Sequence, residues 1–190
     1  MAWQTLRYQL TSSAPLLMHN GQAANPLNKW AKLSKQISSK RAKTDADHEE
    51  MARIDFLASL YMAPDGPVIP SYVLDAVLVN GAKKSKEGMI AKSGAFCLEH
   101  ARLEYDGPRT AEELWAEERF RHTALVRVGN AKVVRCRPVF NEWSAVVSVN
   151  IENTIVNPAR VDDWWKVAGT QVGLCDWRPQ HGRFTAVRIP

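Results

Sequence analysis

The run Phe184-Thr185-Ala186-Val187-Arg188-Ile189 reads as a β-strand, and the sequence offers no later strand to pair with it. An earlier strand must therefore keep an edge open for it. This one requirement ties the end of the chain to a segment placed long before it. Gly173 to Arg183, which leads into the run, reads Gly-Leu-Cys-Asp-Trp-Arg-Pro-Gln-His-Gly-Arg, a turn-rich loop between two glycines. Cations, an aromatic face and backbone N–H groups on one loop suit a polyanion.

The natural partner lies at the other end. In residues 3–10, Leu6, Tyr8 and Leu10 alternate with Thr5, Arg7 and Gln9, the period-two pattern of a strand with one buried face. It opens into Pro15-Leu16-Leu17-Met18-His19-Asn20-Gly21, a loop closed by Asn25-Pro26. Asn28 to Lys43 then carries six basic residues and no acidic one, with Trp30, Leu33 and Ile37 at helical spacing. Two readings stand side by side: a solvated lysine face, or a basic arm laid on phosphates with Trp30 stacking on a base.

Thr44 with Asp45, Asp47, Glu49 and Glu50 is the N-terminus of a helix whose buried stripe runs through Met51, Ile54, Leu57, Ala58 and Tyr61. Ser71 is expected to cap a second helix, with Leu74, Val77 and Leu78 inward and Lys83 and Lys84 at its C-terminus. Lys84 to Gly94 is expected to be a flexible loop, Phe96 to Tyr105 a strand, and Thr110 with Glu113 the capping box of an acidic helix. Lys132 to Phe140 and Trp143 to Ile151 read as a hairpin turned by Asn141-Glu142. Its second arm points Trp143, Ala145, Val147, Val149 and Ile151 to one face, and Arg135 and Arg137 share a face of the first, open to a ligand. Asn157-Pro158 starts a last helix. Its neighbouring Trp164 and Trp165 are expected to divide, one packing in the core and one at the edge or on a partner.

Setting aside insertions at about 22–43 and 84–131, the order is βαββαβ, a ferredoxin-like (RRM-like) α+β core with large helical and loop insertions, in one domain spanning 1–190. Such a core leaves one sheet face open, as single-strand binders use it. The 25 Lys and Arg against 20 Asp and Glu, a net charge of +5, are compatible with nucleic acid. Cys97, Cys136 and Cys175 lie far apart with no zinc spacing, and are expected as buried thiols of a cytoplasmic protein. No stretch is apolar enough for a membrane span, and no phosphate-binding or nucleophile-elbow motif occurs. No cofactor, metal site or catalytic residue is expected.

Ile69-Pro70-Ser71-Tyr72-Val73-Leu74-Asp75-Ala76-Val77 resembles the helix opening "I-P-x-S-x-L-x-G-A-L" of the RAMP superfamily, which includes the crRNA-binding backbone subunits of CRISPR effector complexes. Gly173-Leu174 followed by Gly182-Arg183-Phe184 resembles that superfamily's glycine-rich loop, and Pro15-Leu16-Leu17 with Gly21 is similar to its loop after the first strand. Tyr72 and Asp75 depart from the small residues usual in that helix opening. The chain also resembles a small protein of tailed phages and prophages. The resemblance implies a largely sequence-independent protein that binds single-stranded RNA, or DNA, and assembles head to tail, with CRISPR-related proteins as further partners.

The residues expected to hold the strand are His19, Asn20 and Gly21; Lys29, Trp30, Lys32, Lys35, Lys40, Arg41 and Lys43; Lys83, Lys84 and Lys86; Arg135 and Arg137; and Arg178, His181 and Arg183. Backbone N–H groups at Gly21, Gly173 and Gly182 would approach phosphates. Trp177 is either a core plug beneath its loop or a base platform. The alternatives are a RAMP-like endoribonuclease using His19 or His181, and a phage structural or scaffold protein.

Overall fold

The computed structural model describes residues 3–190. The strands are β1 (Trp3–Ser12), β2 (Leu16–Leu17), β3 (Met62–Ala63), β4 (Gly66–Ile69), β5 (Ala95–Cys97), β6 (Ala101–Arg102), β7 (Arg121–Val128), β8 (Ala131–Phe140), β9 (Ser144–Glu152) and β10 (Phe184–Ile189). The α-helices are α1 (Lys29–Ser38), α2 (Asp45–Ser59), α3 (Ser71–Lys83), α4 (Gly88–Gly94), α5 (Ala111–Ala116) and α6 (Pro158–Val167). The chain is mixed α+β with several antiparallel sheets, and it divides into two compact units. Unit 1 holds the chain up to Leu16, Gly66–Asp106 and Phe140–Pro190; unit 2 holds Leu17–Asp65 and Gly107–Val139.

Unit 1 is organised on β1. β10 pairs antiparallel along one of its edges, from Arg7 opposite Ile189 to Ser12 opposite Phe184, so the last strand takes the edge that the sequence required. β9 pairs along the other, from Trp3 opposite Glu152 to Thr11 opposite Ser144, and β5 pairs beyond β9, giving the order β10-β1-β9-β5. The period-two reading holds: Leu6, Tyr8 and Leu10 are buried, as are Ala145, Val147, Val149 and Ile151 on β9. Helices α3 and α6 cover this face. The Tyr8 hydroxyl donates to Asp162 on α6 at 2.7 Å, and the Asp75 carboxylate on α3 accepts the Cys97 N–H of β5 at 2.6 Å.

Asn157 caps α6 as expected, accepting the Ala159 N–H at 2.9 Å. The division of the tryptophans is overturned, because both are buried. Trp165 packs on Tyr8 and Phe184 at ring separations of 6.1 and 6.0 Å, while Trp164 points elsewhere and donates its Nε1–H to Glu87 at 2.6 Å. Consecutive side chains on a helix point about 100° apart. A helix packed on both the sheet and α3 buries both directions at once. The Glu87 carboxylate also pairs with Arg160.

Three further expectations change. Lys132–Phe140 and Trp143–Ile151 do not form a hairpin: β8 pairs with β7 from Arg121 opposite Pro138 to Val128 opposite Ala131, whereas β9 pairs with β1 and β5. The turn is Gly129-Asn130, where Gly129 has φ +60° and so suits a two-residue hairpin loop better than Asn-Glu does. The strand beside β9 is therefore β5, inside the stretch read as an insertion. The polar stretch before it is also not all loop, since Gly88–Gly94 forms α4. Small buried residues allow this, for a Cβ on Gly94 would come within 2.6 Å of Val156.

In unit 2, Thr44 and Asp47 form a capping box at the start of α2, and α1 packs beside that helix. β8 carries β7 on one side and β2 on the other. Phe56 of α2 meets Trp115 of α5 edge-on at 5.4 Å. Among the described residues no helix is long and apolar enough to cross a membrane.

The loop before β10 is folded on itself. Gly182 has φ +71° and a Cβ there would lie 2.0 Å from the Leu174 carbonyl oxygen, whereas a Cβ on Gly21 would meet nothing within 4 Å. Gly182→Ala is expected to destabilise the protein by about 2–4 kcal/mol and Gly21→Ala by less than about 0.5 kcal/mol, as measured by urea denaturation.

Candidate nucleic-acid interface

Asp55 near the C-terminal end of α2 carries the construction of unit 2. One of its oxygens accepts the Cys136 N–H at 2.9 Å; the other accepts from Arg137 Nη1 at 2.7 Å and lies 3.8 Å from Arg135. Arg137 is nearly buried and also donates to Ser59 Oγ at 3.1 Å, with its Nη2 3.4 Å from His19 Nε2. The arginine-bearing face expected to be open to a ligand is thus covered by α2, and it belongs to β8 rather than to the four-stranded sheet. Arg135, more exposed and held at the longer distance, keeps a side turned outward.

This packing frames a groove of about 800 Å³ between α1, α2 and β8. Trp30, Ser34, Lys35 and Ser38 line it from α1, Lys43 from the α1–α2 connection, His48 and Met51 from α2, and Lys132 and Arg135 from β8. Its cations outnumber its one carboxylate, Asp55, which is already bound to Arg137. Lys43 Nζ donates to the Lys40 carbonyl at 3.2 Å, which fixes its stem and leaves the charge in place. The Asn28 side chain caps α1 by accepting the Trp30 N–H at 2.9 Å, and the Lys29 ammonium lies 4.4 Å from the centre of the Trp30 ring. None of the α1 residues is buried, so its lysines and its ring are offered to whatever enters the groove.

The expected binding residues divide by place. Trp30, Lys35, Lys43 and Arg135 come together in the groove; Lys29 flanks it on the Trp30 ring; Lys32 and Arg41 are exposed nearby in sequence, and Lys40 pairs with Asp47 at 2.6 Å. His19 and Asn20 lie elsewhere in unit 2 and serve its architecture. The His19 carbonyl accepts from Tyr61 Oη at 2.9 Å, and Asn20 caps a short 3₁₀ turn beginning at Gly21 while donating to the Leu60 carbonyl at 3.2 Å. Lys83, Lys84, Lys86, Arg178, His181 and Arg183 are in unit 1. The N–H groups of Gly173 and Gly182 are spent on the Ala168 and Pro15 carbonyls at 2.9 and 2.7 Å, so they do not face a phosphate. Trp177 is no core plug: it is 36% exposed, with φ +52° and its ring edge-on to His181 at 5.7 Å.

Lys132 and His48 are groove residues that the binding list omitted. The signal for Lys132 was its place two residues beyond a Gly-Asn hairpin turn, on the strand that carries Arg135. None of the three cysteines is in a disulfide. Burial pushes the Cys175 thiol up to about 12 and raises the Cys97 and Cys136 thiols too, so all three are poor nucleophiles. Among the described residues no three His, Cys, Asp or Glu side chains gather as a metal-binding set.

No protein-family model matches the chain, and no curated protein is significantly similar to it.

The Lys40 ammonium, helped by the Thr44 N–H at 3.0 Å, holds the Asp47 carboxyl down at about 2. A depressed folded pKa means that the cap stabilises α2 above about pH 4 and that this support is lost as pH falls through about 2. NMR titration should give Asp47 a midpoint near 2, returning toward 3.8 in Lys40→Met. Arg137→Ala, which removes the buried arginine from the half-buried Asp55 carboxylate and from Ser59, is expected to cost about 3 kcal/mol in urea denaturation. Arg135→Ala is expected to cost under about 0.5 kcal/mol.

Proposed function

We propose that this protein is a non-catalytic, largely sequence-independent binder of single-stranded nucleic acid, and that the groove of unit 2 is where the strand lies. The observation that carries this is the meeting of Lys35, Lys43, Lys132 and Arg135 with the accessible Trp30 ring along one groove. Ammonium and guanidinium groups neutralise phosphates irrespective of sequence, and an aromatic face stacks on any base. No helix with base-reading side chains and its own dimer motif is needed.

The order β1, α3, β5, β9, α6, β10 with strands arranged β10-β1-β9-β5 supports assigning unit 1 to the ferredoxin-like (RRM-like) class. With the helix opening at Ile69-Pro70-Ser71 and the loop at Gly173-Leu174, this supports membership of the RAMP superfamily and favours RNA over DNA. Head-to-tail assembly along the strand belongs to the same proposal. It does not use Trp164 or Trp165, which are buried.

The test is fluorescence anisotropy with labelled 30-nucleotide oligouridylate and oligothymidylate. Affinity should fall about 100-fold between about 50 and 300 mM salt, the response to roughly four neutralised phosphates. Lys35→Glu with Lys132→Glu should weaken both oligonucleotides alike, and Trp30→Ala should cost about tenfold. Salt-independent binding, or undiminished binding by the double variant, overturns the groove assignment. Purified protein with no absorbance excess at 260 nm and no affinity for either oligonucleotide points to a structural role instead, and shortening of the RNA points to a nuclease.

A further inference from the structure

Unit 1 has a second pocket, of about 740 Å³, at the edge of the four-stranded sheet where α3, α4 and β5 meet. Three lysines line it: Lys83 at the end of α3, Lys86 in the connection, and Lys92 on α4. All three are exposed, and among the described residues none is ion-paired; Lys83 Nζ donates only to Asn80 Oδ1, at 3.1 Å. The lining carboxylate, Asp75, is turned to the Cys97 backbone and thiol. It fastens β5 to α3 and does not neutralise the lysines.

The rest of the lining is apolar. Ala95 is buried and Val79 half-buried at its wall, and Ala76, Met89 and Phe96 are exposed around the mouth, the last two by 79% and 36%. Phe96 is half of an aromatic pair, edge-on to Trp3 at 5.2 Å, and Trp3 is itself 53% exposed. Two large exposed rings in contact, Phe96 on the edge strand and Trp3 at the start of β1, are not explained by the core. The backbone supports the arrangement. Lys86 has φ +64°, and a Cβ on Gly88 would come within 2.5 Å of the Lys83 side chain, so the bare glycine lets the Lys83 stem lie across the start of α4.

We propose that this pocket binds a nucleoside polyphosphate. An apolar cleft of this size with a ring at its lip suits a nucleobase, and three unpaired ammonium groups at its rim suit two or more phosphates. A plain polyanion would use the lysines and leave the apolar wall and rings without a role. An uncharged ring compound would leave the lysines repelling one another. The nucleotide satisfies both halves, and the site is separate in its residues from the groove of unit 2, so it does not rest on strand binding.

Isothermal titration calorimetry on the full chain tests this with ATP, inorganic triphosphate and adenosine as probes. ATP should bind at least about tenfold more tightly than either inorganic triphosphate or adenosine. Phe96→Ala should weaken ATP about tenfold while leaving triphosphate unchanged, because a stacked base contributes roughly a factor of ten. Lys83→Glu, Lys86→Glu and Lys92→Glu together should abolish both ATP and triphosphate binding. Lys83→Met, Lys86→Met and Lys92→Met guard against loss of folding: with a native melting temperature they should still lose ATP. Equal affinity for ATP and triphosphate, with Phe96→Ala silent, reduces the site to an anion patch and overturns the proposal. ATP that fails to saturate by about 1 mM, or that binds either triple variant undiminished, overturns it as well.

Discussion

The double pairing of β1 is the constraint on which unit 1 depends. From Arg7 to Thr11 this strand has neighbours on both sides, which commits the backbone N–H and C=O groups of that stretch, and those neighbours come from Ser144–Glu152 and Phe184–Ile189, far away in the sequence. Once β1 is central, its period-two pattern sends Leu6, Tyr8 and Leu10 to one face, and that face has to be covered. α6 does so with Trp165, which packs on Tyr8, and Phe184 at the start of β10 packs against the same ring. The close approach extends to the backbone: a Cβ on Gly169 would lie 2.1 Å from the Phe184 carbonyl oxygen. The π-helical turn Ala168–Val172 and Gly173, with φ +77°, then deliver the chain to the last strand.

In unit 2 a single carboxylate does comparable work. Asp55 binds a backbone N–H and two guanidinium groups of β8, so α2 and β8 are joined by hydrogen bonds with defined directions as well as by apolar packing. A buried arginine without that carboxylate would be costly, and the carboxylate without Arg137 equally so. The consequence is a division of labour between residues two apart on one strand. Arg137 is committed to structure, while Arg135 keeps part of its charge for the groove. The lysines that join it come from α1, from the α1–α2 connection and from the start of β8, and α1, without buried residues, has an outer face free to carry charge.

Much of this was legible. The capping signals at Thr44, Thr110 and Asn157 each mark a real cap, because a cap depends on neighbours within three residues, whereas Ser71 is the first residue of α3 and Pro70, in the cap position, supplies no side-chain hydrogen bond. The alternation in β1 and β9 identified their buried faces for the same reason. The pairing of β8 was not legible from its own residues, because two adjacent strand-forming runs look alike whether they pair with each other or with other strands. The turn signal that decides the pairing is Gly129-Asn130 between β7 and β8. The role of Arg137 was hidden for a related reason: its partner, Asp55, sits on a helix whose contact with β8 is a long-range event.

By itself the sequence determined the local features: the caps at Thr44, Thr110 and Asn157, which faces are apolar, and where the basic stretch lies. Those follow from backbone geometry and side-chain chemistry over a few residues. Only the tertiary structure decided which strands became neighbours, that Trp164 and Trp165 are both buried, that the Gly173 and Gly182 amides are consumed by the Ala168 and Pro15 carbonyls, and which cations share a groove. These outcomes depend on distances between segments far apart in the chain, set by the packing of whole elements and by the need to pair every buried polar group.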